Sequence, residues 1–278
     1  MAVRIVTDSA CDLPESTAGE LGIEIVPLTI RFGDEEFVDR RDLSPTEFWR
    51  RCAASAVLPE TAAPAPGQFE AAYRKLAAEG ATGIVVVALS GALSATLQSA
   101  QLAANSVAAE IPVRVVDSHT ITLGQGMIAV AVARMARDGA SIDEVEAAAA
   151  DMASRSKVWG ALDTLDNLKK GGRIGGAKAL LASVLSIKPI IEVRDGKVEE
   201  GGKQRTRAKS LAFLLEKVKS AGPLENVGVI HAQCPDIGPF VEQVKAITGG
   251  EVVVGDIGPV VGSHAGQGTI GVAFQTKH

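Results

Sequence analysis

Short apolar, β-branched runs at residues 3–7, 23–30, 83–89 and 113–116 alternate with segments of helical periodicity through the first half of the chain. The helical segments fall at 46–56, 67–78, 94–107 and 123–137, with Pro45 near the first start and Gly80 and Gly139 as stops. This alternation predicts β/α units on a mostly parallel sheet. After about Ala140 the rhythm changes. An Ala-rich helix over 142–154, a strand over 158–162 and a Gly-rich stretch over 169–178 lead to two short runs, 188–193 and 197–200. Arg194, Asp195 and Gly196 between those runs predict a hairpin, because Asp-Gly accepts positive φ. A helix over 207–219, strands over 227–231 and 252–256 and a helix over 239–248 follow, so the strand types mix. The expected fold is α/β. Residues 1–155 are expected to form an N-terminal domain with a mostly parallel sheet flanked by helices, and residues 156–278 a second α/β domain with a mixed sheet.

Composition narrows the function. The 278 residues carry 28 Lys plus Arg against 33 Asp plus Glu, a net charge of -5 that gives no electrostatic footprint for nucleic acid. The N-terminus has charge at Arg4 and Asp8 and lacks the roughly 7 to 15 apolar residues of a secretory signal. The longest apolar window, 121–132, is shorter than the about 18 residues of a membrane span. A cytoplasmic location is expected, with at most transient membrane contact. Cys11, Cys52 and Cys234 are odd in number and far apart, which argues against a disulfide framework and excludes a zinc knuckle. With 4 His and 10 aromatics (7 Phe, 2 Trp, 1 Tyr) there is little material for a metal cluster, and no motif asks for a cofactor.

Three familiar motifs fail in context. Gly266, Gly268 and Gly271 have dinucleotide-fold spacing, but only ten residues follow Gly268, so no βαβ unit can be built on them. Gly171 and Gly176 have Walker-loop separation, yet Ala177 stands where the Lys belongs. Neither Ser94 nor Ser263 lies in G-x-S-x-G.

The loops that survive each follow a strand and gather small, hydroxylated or donor residues, in the crevice where parallel sheets bind ligands. Thr7, Asp8, Ser9 and Asp12 follow the first strand and fit an Asx or Ser turn with a helix cap as well as a ligand loop. Thr61 supplies a hydroxyl in a stretch stiffened by Pro64 and Pro66. Ser90, Gly91 and Ser94 precede a helix whose free amides suit an anion, although capping by Ser94 explains it equally well. Ser118 lies in the fourth such loop, residues 117–126. In the second half Arg173 stands between two glycine pairs, and Ser263 and His264 occupy a flexible small-residue loop over 258–268, a poor place for a packing histidine.

Taken in order, these strings resemble the DegV family, bacterial fatty-acid-binding proteins that include the FakB-type subunits of fatty acid kinase. The matching residues are Thr7-Asp8-Ser9 with Asp12-Leu13, Thr61 with Pro64 and Phe69, Ser90 with Leu93-Ser94, and Asp117-Ser118 with Gly124 and Gly126. Gly171-Gly172-Arg173-Ile174, Arg205-Thr206 and Gly262 through Gly268 complete the series. Ala62 and Ala65 stand where the family's T-S-x-P-S has serines, and Ala95-Thr96-Leu97 departs from its Gly-Thr-Tyr. The resemblance implies a non-catalytic carrier that binds a long-chain fatty acid between its domains, with the carboxylate near Thr61 and Ser94. A fatty acid kinase catalytic subunit would then phosphorylate that carboxylate with ATP, giving an acyl phosphate for phospholipid synthesis. By the same implication Arg173, Arg205 and His264 lie at or near the exposed head group and the kinase-facing surface; a net charge of -5 leaves room for a local basic docking face around Lys169, Lys170, Arg173, Lys203, Arg205 and Arg207.

The physics agrees with such a carrier. Fifteen buried methylenes at about 0.8 kcal/mol each supply about 12 kcal/mol gross, so the tail gives affinity and the head group gives orientation. Neutral hydroxyls and helix-start amides would satisfy the carboxylate and leave it nucleophilic, with Arg173 and His264 steadying the added phosphate charge. The dense apolar run of Leu180, Leu181, Val184, Leu185, Ile187, Ile190 and Ile191 is the expected source of a wall for the tail, although such a run is more often plain core. Two other readings stay open: a small-molecule hydrolase or phosphotransferase with Ser94 as nucleophile and His264 as base, and a lipid-sensing regulator.

Overall fold

The computed structural model describes residues 3–55, 57–182 and 187–277. The chain opens on β1 (Val3–Asp8), followed by a 3-10 turn (Ser9–Cys11), α1 (Glu15–Leu21), β2 (Glu24–Val26), β3 (Thr29–Phe32), β4 (Glu35–Val38) and α2 (Pro45–Ala54). Next come β5 (Glu60–Ala62), α3 (Pro66–Ala78), β6 (Gly83–Ala88), α4 (Thr96–Ser106), β7 (Val113–Asp117), α5 (Leu123–Arg137) and α6 (Ile142–Arg155). The second half runs β8 (Ser156–Ala161), α7 (Asp166–Lys170), a 3-10 segment (Gly175–Ala182), β9 (Lys188–Arg194) and β10 (Lys197–Gln204). It ends with α8 (Arg207–Ser220), β11 (Leu224–His231), α9 (Ile237–Thr248), β12 (Val253–Asp256), α10 (Pro259–Ala265) and β13 (Ile270–Thr276).

Three sheets form among the described residues. A parallel sheet has the order β2-β1-β6-β7, flanked by helices. Its inner strand β6, GIVVVA, is buried at every position, as a strand covered on both faces must be. A six-stranded sheet has the order β10-β9-β8-β13-β11-β12, antiparallel except where β11 meets β12, and is therefore mixed. A small antiparallel sheet, β4-β3-β5, carries Thr61. Between the two large sheets lies α5, which packs on β1 and on β11 and is buried nearly all round, consistent with its lack of a polar face.

Local chemistry accounts for the boundaries. Ser44 caps α2 ahead of Pro45, Ser141 and Glu144 form a capping box on α6, and Thr206 caps α8. Asp195 and Gly196 take φ of 50° and 75° and close the β9–β10 hairpin. Three expectations change. The apolar run 23–30 is two strands in different sheets, because Pro27 has no N–H to continue a ladder. The loop expected at 258–268 contains α10, whose start carries Pro259 at a favoured first-turn position. β13, absent from the pattern reading, lies between β8 and β11 in the mixed sheet.

Candidate ligand-binding site

Alternation along β9 separates two apolar regions. Ile190 points to the side covered by α8 and is fully buried in a cluster with Leu214, Val218 and Phe240. Ile191 and Val193 point the other way, into a cavity of about 190 Å³ enclosed between the mixed sheet, α10 and the loops of the parallel sheet. Leu28, Leu89, Ile121, Ile230, Ile257 and Val260 contribute further apolar wall from both halves of the chain. Of the run expected to line a tail, only Ile191 does so among the described residues. Leu180 packs with Leu162, Leu165 and Leu168, Leu181 is 43% exposed, and Val184 and Leu185 lie outside the described residues.

Polar groups converge at one end. Thr61, Ser94, Arg173 and His264 all line this cavity. Nε2 of His264 lies 2.9 Å from Oγ1 of Thr61, so β5 and α10 meet there. His264 packs directly on Gly171, where a Cβ would fall 2.2 Å from its Nδ1, and that Nδ1 is buried without a hydrogen-bond partner. Burial, and then the charge of Arg173, push the imidazole down to about 4, so it is neutral at physiological pH. Arg173 donates through Nη1 to the Gly171 carbonyl at 2.7 Å and through Nε to the Leu93 carbonyl at 3.2 Å, which ties it to the segment bearing Ser94. An outer recess of about 450 Å³ shares Thr61, Arg173 and His264 and adds Asn167, Lys170 and Ser263.

Other expected site residues are committed elsewhere. Ser90 is buried and donates to the Gly196 carbonyl at 2.7 Å, pinning the β9–β10 hairpin to the first sheet's loops. The Gly91 amide faces the carboxylate of Asp117 at 3.3 to 3.4 Å, so the anion at this turn is the chain's own. Ser118 donates to the Thr120 carbonyl, and Ser263 donates back into α10 at the Pro259 carbonyl; neither hydroxyl lines the apolar cavity. The helix-start amide of Thr96 is taken by Ser94 Oγ, which also lies 2.9 Å from Thr96 Oγ1. The Ser94, Ser118 and Ser263 hydroxyls each bond a backbone group within four residues, as hydroxyls beside turns and in helices do. Arg207 is paired with Asp236 at 2.9 and 3.0 Å and bonds the Gly268 carbonyl, which makes it a brace of the second half; Arg205 is exposed beside it and lines none of the cavities described here. The hydroxyl that meets His264 is that of Thr61, so Ser94 and His264 do not form a nucleophile and base pair.

The sequence reading also passed over wall residues from α10 and from β8. A Pro followed by an apolar pair, Pro259-Val260-Val261, was the available signal for α10. Gly160 of β8 carries no periodic signal at all.

A model of the DegV family, described as "Uncharacterised protein, DegV family", matches residues 2–277. A DegV domain-containing protein of Streptomyces coelicolor is 35% identical over 284 residues, covering 99% of each chain. Among solved structures, a fatty-acid-binding DegV family protein of Thermus thermophilus superposes with a TM-score of 0.92 at 31% identity, and the Bacillus subtilis fatty-acid-binding protein DegV with 0.89 at 27%, each over 100% of both chains. Similarity across the whole length, in sequence and in fold, places this chain in the DegV family.

Proposed function

We propose that the cavity takes one long-chain fatty acid, clasped between lobes formed by residues 1–155 and 156–278, with its carboxyl group at Thr61, Ser94, Arg173 and His264. The observation that carries this reading is the polarity gradient. An apolar cavity ends at a neutral imidazole, two hydroxyls and one guanidinium, and opens there to a wider polar recess. The solved relatives from Thermus thermophilus and Bacillus subtilis are fatty-acid-binding proteins, which supports the same ligand class here.

The chemistry follows from the hydrogen bonds. With the proton of His264 on Nε2, the imidazole donates to Thr61 Oγ1 and leaves the Thr61 hydroxyl proton for the ligand. Ser94 supplies a second hydroxyl. Arg173, steadied by two carbonyls, balances the carboxylate charge so that it stays ionised in a mostly apolar surrounding. In this reading the chain performs no chemistry itself. It presents the carboxylate to an ATP-dependent kinase, whose nucleotide would enter through the recess beside Lys170; the carboxylate oxygen takes the γ-phosphoryl group as its bond to the β–γ bridging oxygen breaks, giving an acyl phosphate and ADP.

The test is a reconstitution. Palmitate-loaded protein is incubated with ATP and a fatty acid kinase catalytic subunit, and acyl phosphate is trapped with hydroxylamine. Acyl hydroxamate should form only when both proteins are present. Product from this chain alone with ATP would instead make it an enzyme.

A further inference from the structure

Asp12 follows the Ser9–Cys11 turn in the left-handed region, at φ 50° and ψ 24°, and is 3% exposed. It is not part of the wall of the cavity described above. Each oxygen meets a donor from a different part of the chain. Oδ2 accepts from Oγ1 of Thr122 at 2.6 Å, and Oδ1 accepts from the backbone N–H of Gly258 at 2.9 Å.

Both partners sit at helix starts that shape the cavity. Thr122 precedes α5 at φ 56° and ψ -144°, a conformation a β-branched residue adopts only when its surroundings hold it, and its own N–H donates to the Ala10 carbonyl. Gly258 is the N-cap of α10, and it has no side chain to satisfy that helix's first amides. Asp12 supplies an acceptor oxygen from the opposite lobe instead, at the N-cap amide. The approach is close: a Cβ on Gly258 would lie 3.0 Å from Asp12 Oδ1, and one on Gly255 would lie 2.8 Å from the Asp12 carbonyl oxygen. From this start, the seven residues of α10 carry Val260, Val261 and His264 into the cavity wall.

We propose that Asp12, through its hydrogen bonds to Thr122 in its own lobe and to Gly258 across the lobes, is the positioning residue that sets α10 and hence His264 against Thr61. Its effect on lipid affinity rests on the fatty-acid reading above. Its effect on His264 does not.

The experiment uses the full chain, free of lipid, with 15N-labelled histidine, His264 being assigned with His264→Gln. Asp12→Ala should move the His264 imidazole resonances and raise the palmitate Kd about 10-fold, the scale of two lost buried hydrogen bonds. Asp12→Asn keeps an acceptor for Gly258 and offers a donor to Thr122 Oγ1, so it should restore both readouts to within about twofold. Val244→Ala, a cavity in the distant α9 cluster, destabilises the fold without touching Asp12 and should leave both unchanged. Should Asp12→Ala not fold, Gly258→Ala, which crowds Oδ1 without entering the cavity, is read the same way and should shift the His264 resonances. Wild-type His264 resonances in Asp12→Ala or, failing that, in Gly258→Ala would overturn the proposal, as would an Asp12→Asn that follows the alanine variant. A wild-type protein that binds no palmitate would refute the fatty-acid reading, while the His264 resonances would still decide the role of Asp12.

Discussion

The imidazole of His264 and the hydroxyl of Thr61 stand 2.9 Å apart although 203 residues separate them, one on α10 and the other on a strand of the small sheet. This contact closes the polar end of the cavity. Removing the groups that face the ligand there should loosen the head group without emptying the apolar wall. The double variant Thr61→Val, Ser94→Ala is expected to raise the palmitate Kd by about 10- to 100-fold, at about 1 kcal/mol or somewhat more for each lost hydrogen bond. Calorimetric titration checks it.

Gly171 gives a sharper steric test. Its φ of -74° is ordinary for any residue, so alanine there brings no backbone strain. The added Cβ would nevertheless fall 2.2 Å from His264 Nδ1, and the imidazole has to leave. Gly171→Ala should therefore fold with modest loss of stability and bind palmitate at least about 10-fold more weakly, whereas Gly172→Ala, open to solvent but at φ 70°, should cost about 1 kcal/mol of stability and spare binding. Thermal melts and titrations on both variants distinguish the two effects.

Adjacent residues of β9 separate stability from affinity. Ile190→Ala empties a fully buried position in the cluster under α8 and should cost about 2 to 5 kcal/mol in urea unfolding, with palmitate affinity unchanged. Ile191→Ala enlarges the lipid cavity instead and should weaken palmitate binding at a smaller cost in stability. The same effect from both variants would mean that the two faces of β9 are not divided in this way.

The buried acids fix the pH dependence of stability. Burial raises Asp8 and Asp39 to about 6 and Asp12 to about 7, each from an ordinary 3.8. A raised acid stabilises the fold fully below its unfolded value, and that contribution is lost as the pH climbs through the folded value, about 3 kcal/mol for a shift such as that of Asp8. His264, lowered from 6.5 to about 4, acts the other way: its contribution is present above 6.5 and is lost as the pH falls toward 4. Three groups oppose one. The urea midpoint should rise as the pH is lowered from 8 to 5, and Asp12→Asn should flatten the part of that curve nearest pH 7. The clamp itself survives this titration, because protonated Asp12 can donate to Thr122 Oγ1 while still accepting from Gly258.

What the sequence disclosed followed from local rules. β-branched runs marked β1 and β6, Asp195-Gly196 marked the hairpin, and polar residues in expected loops drew attention to Thr61, Ser94, Arg173 and His264, although Thr61 lies on β5 and His264 on α10. What it concealed depended on orientation. Ser90, Ser118 and Ser263 resemble Ser94 in sequence but turn to nearby carbonyls, and Ile190 and Ile191 look alike yet face opposite sides of one strand. Asp12 read as a helix cap within its own loop; the helix whose start it bonds, α10, lies 246 residues further along.

Native mass spectrometry tests the central claim most directly, first on the delipidated protein and then after addition of palmitate or stearate. A single added mass of one fatty acid per chain, displaced by competing long-chain acid and diminished in Gly171→Ala, is the predicted result. A wild-type chain that gains no such mass under conditions that preserve its fold would contradict it.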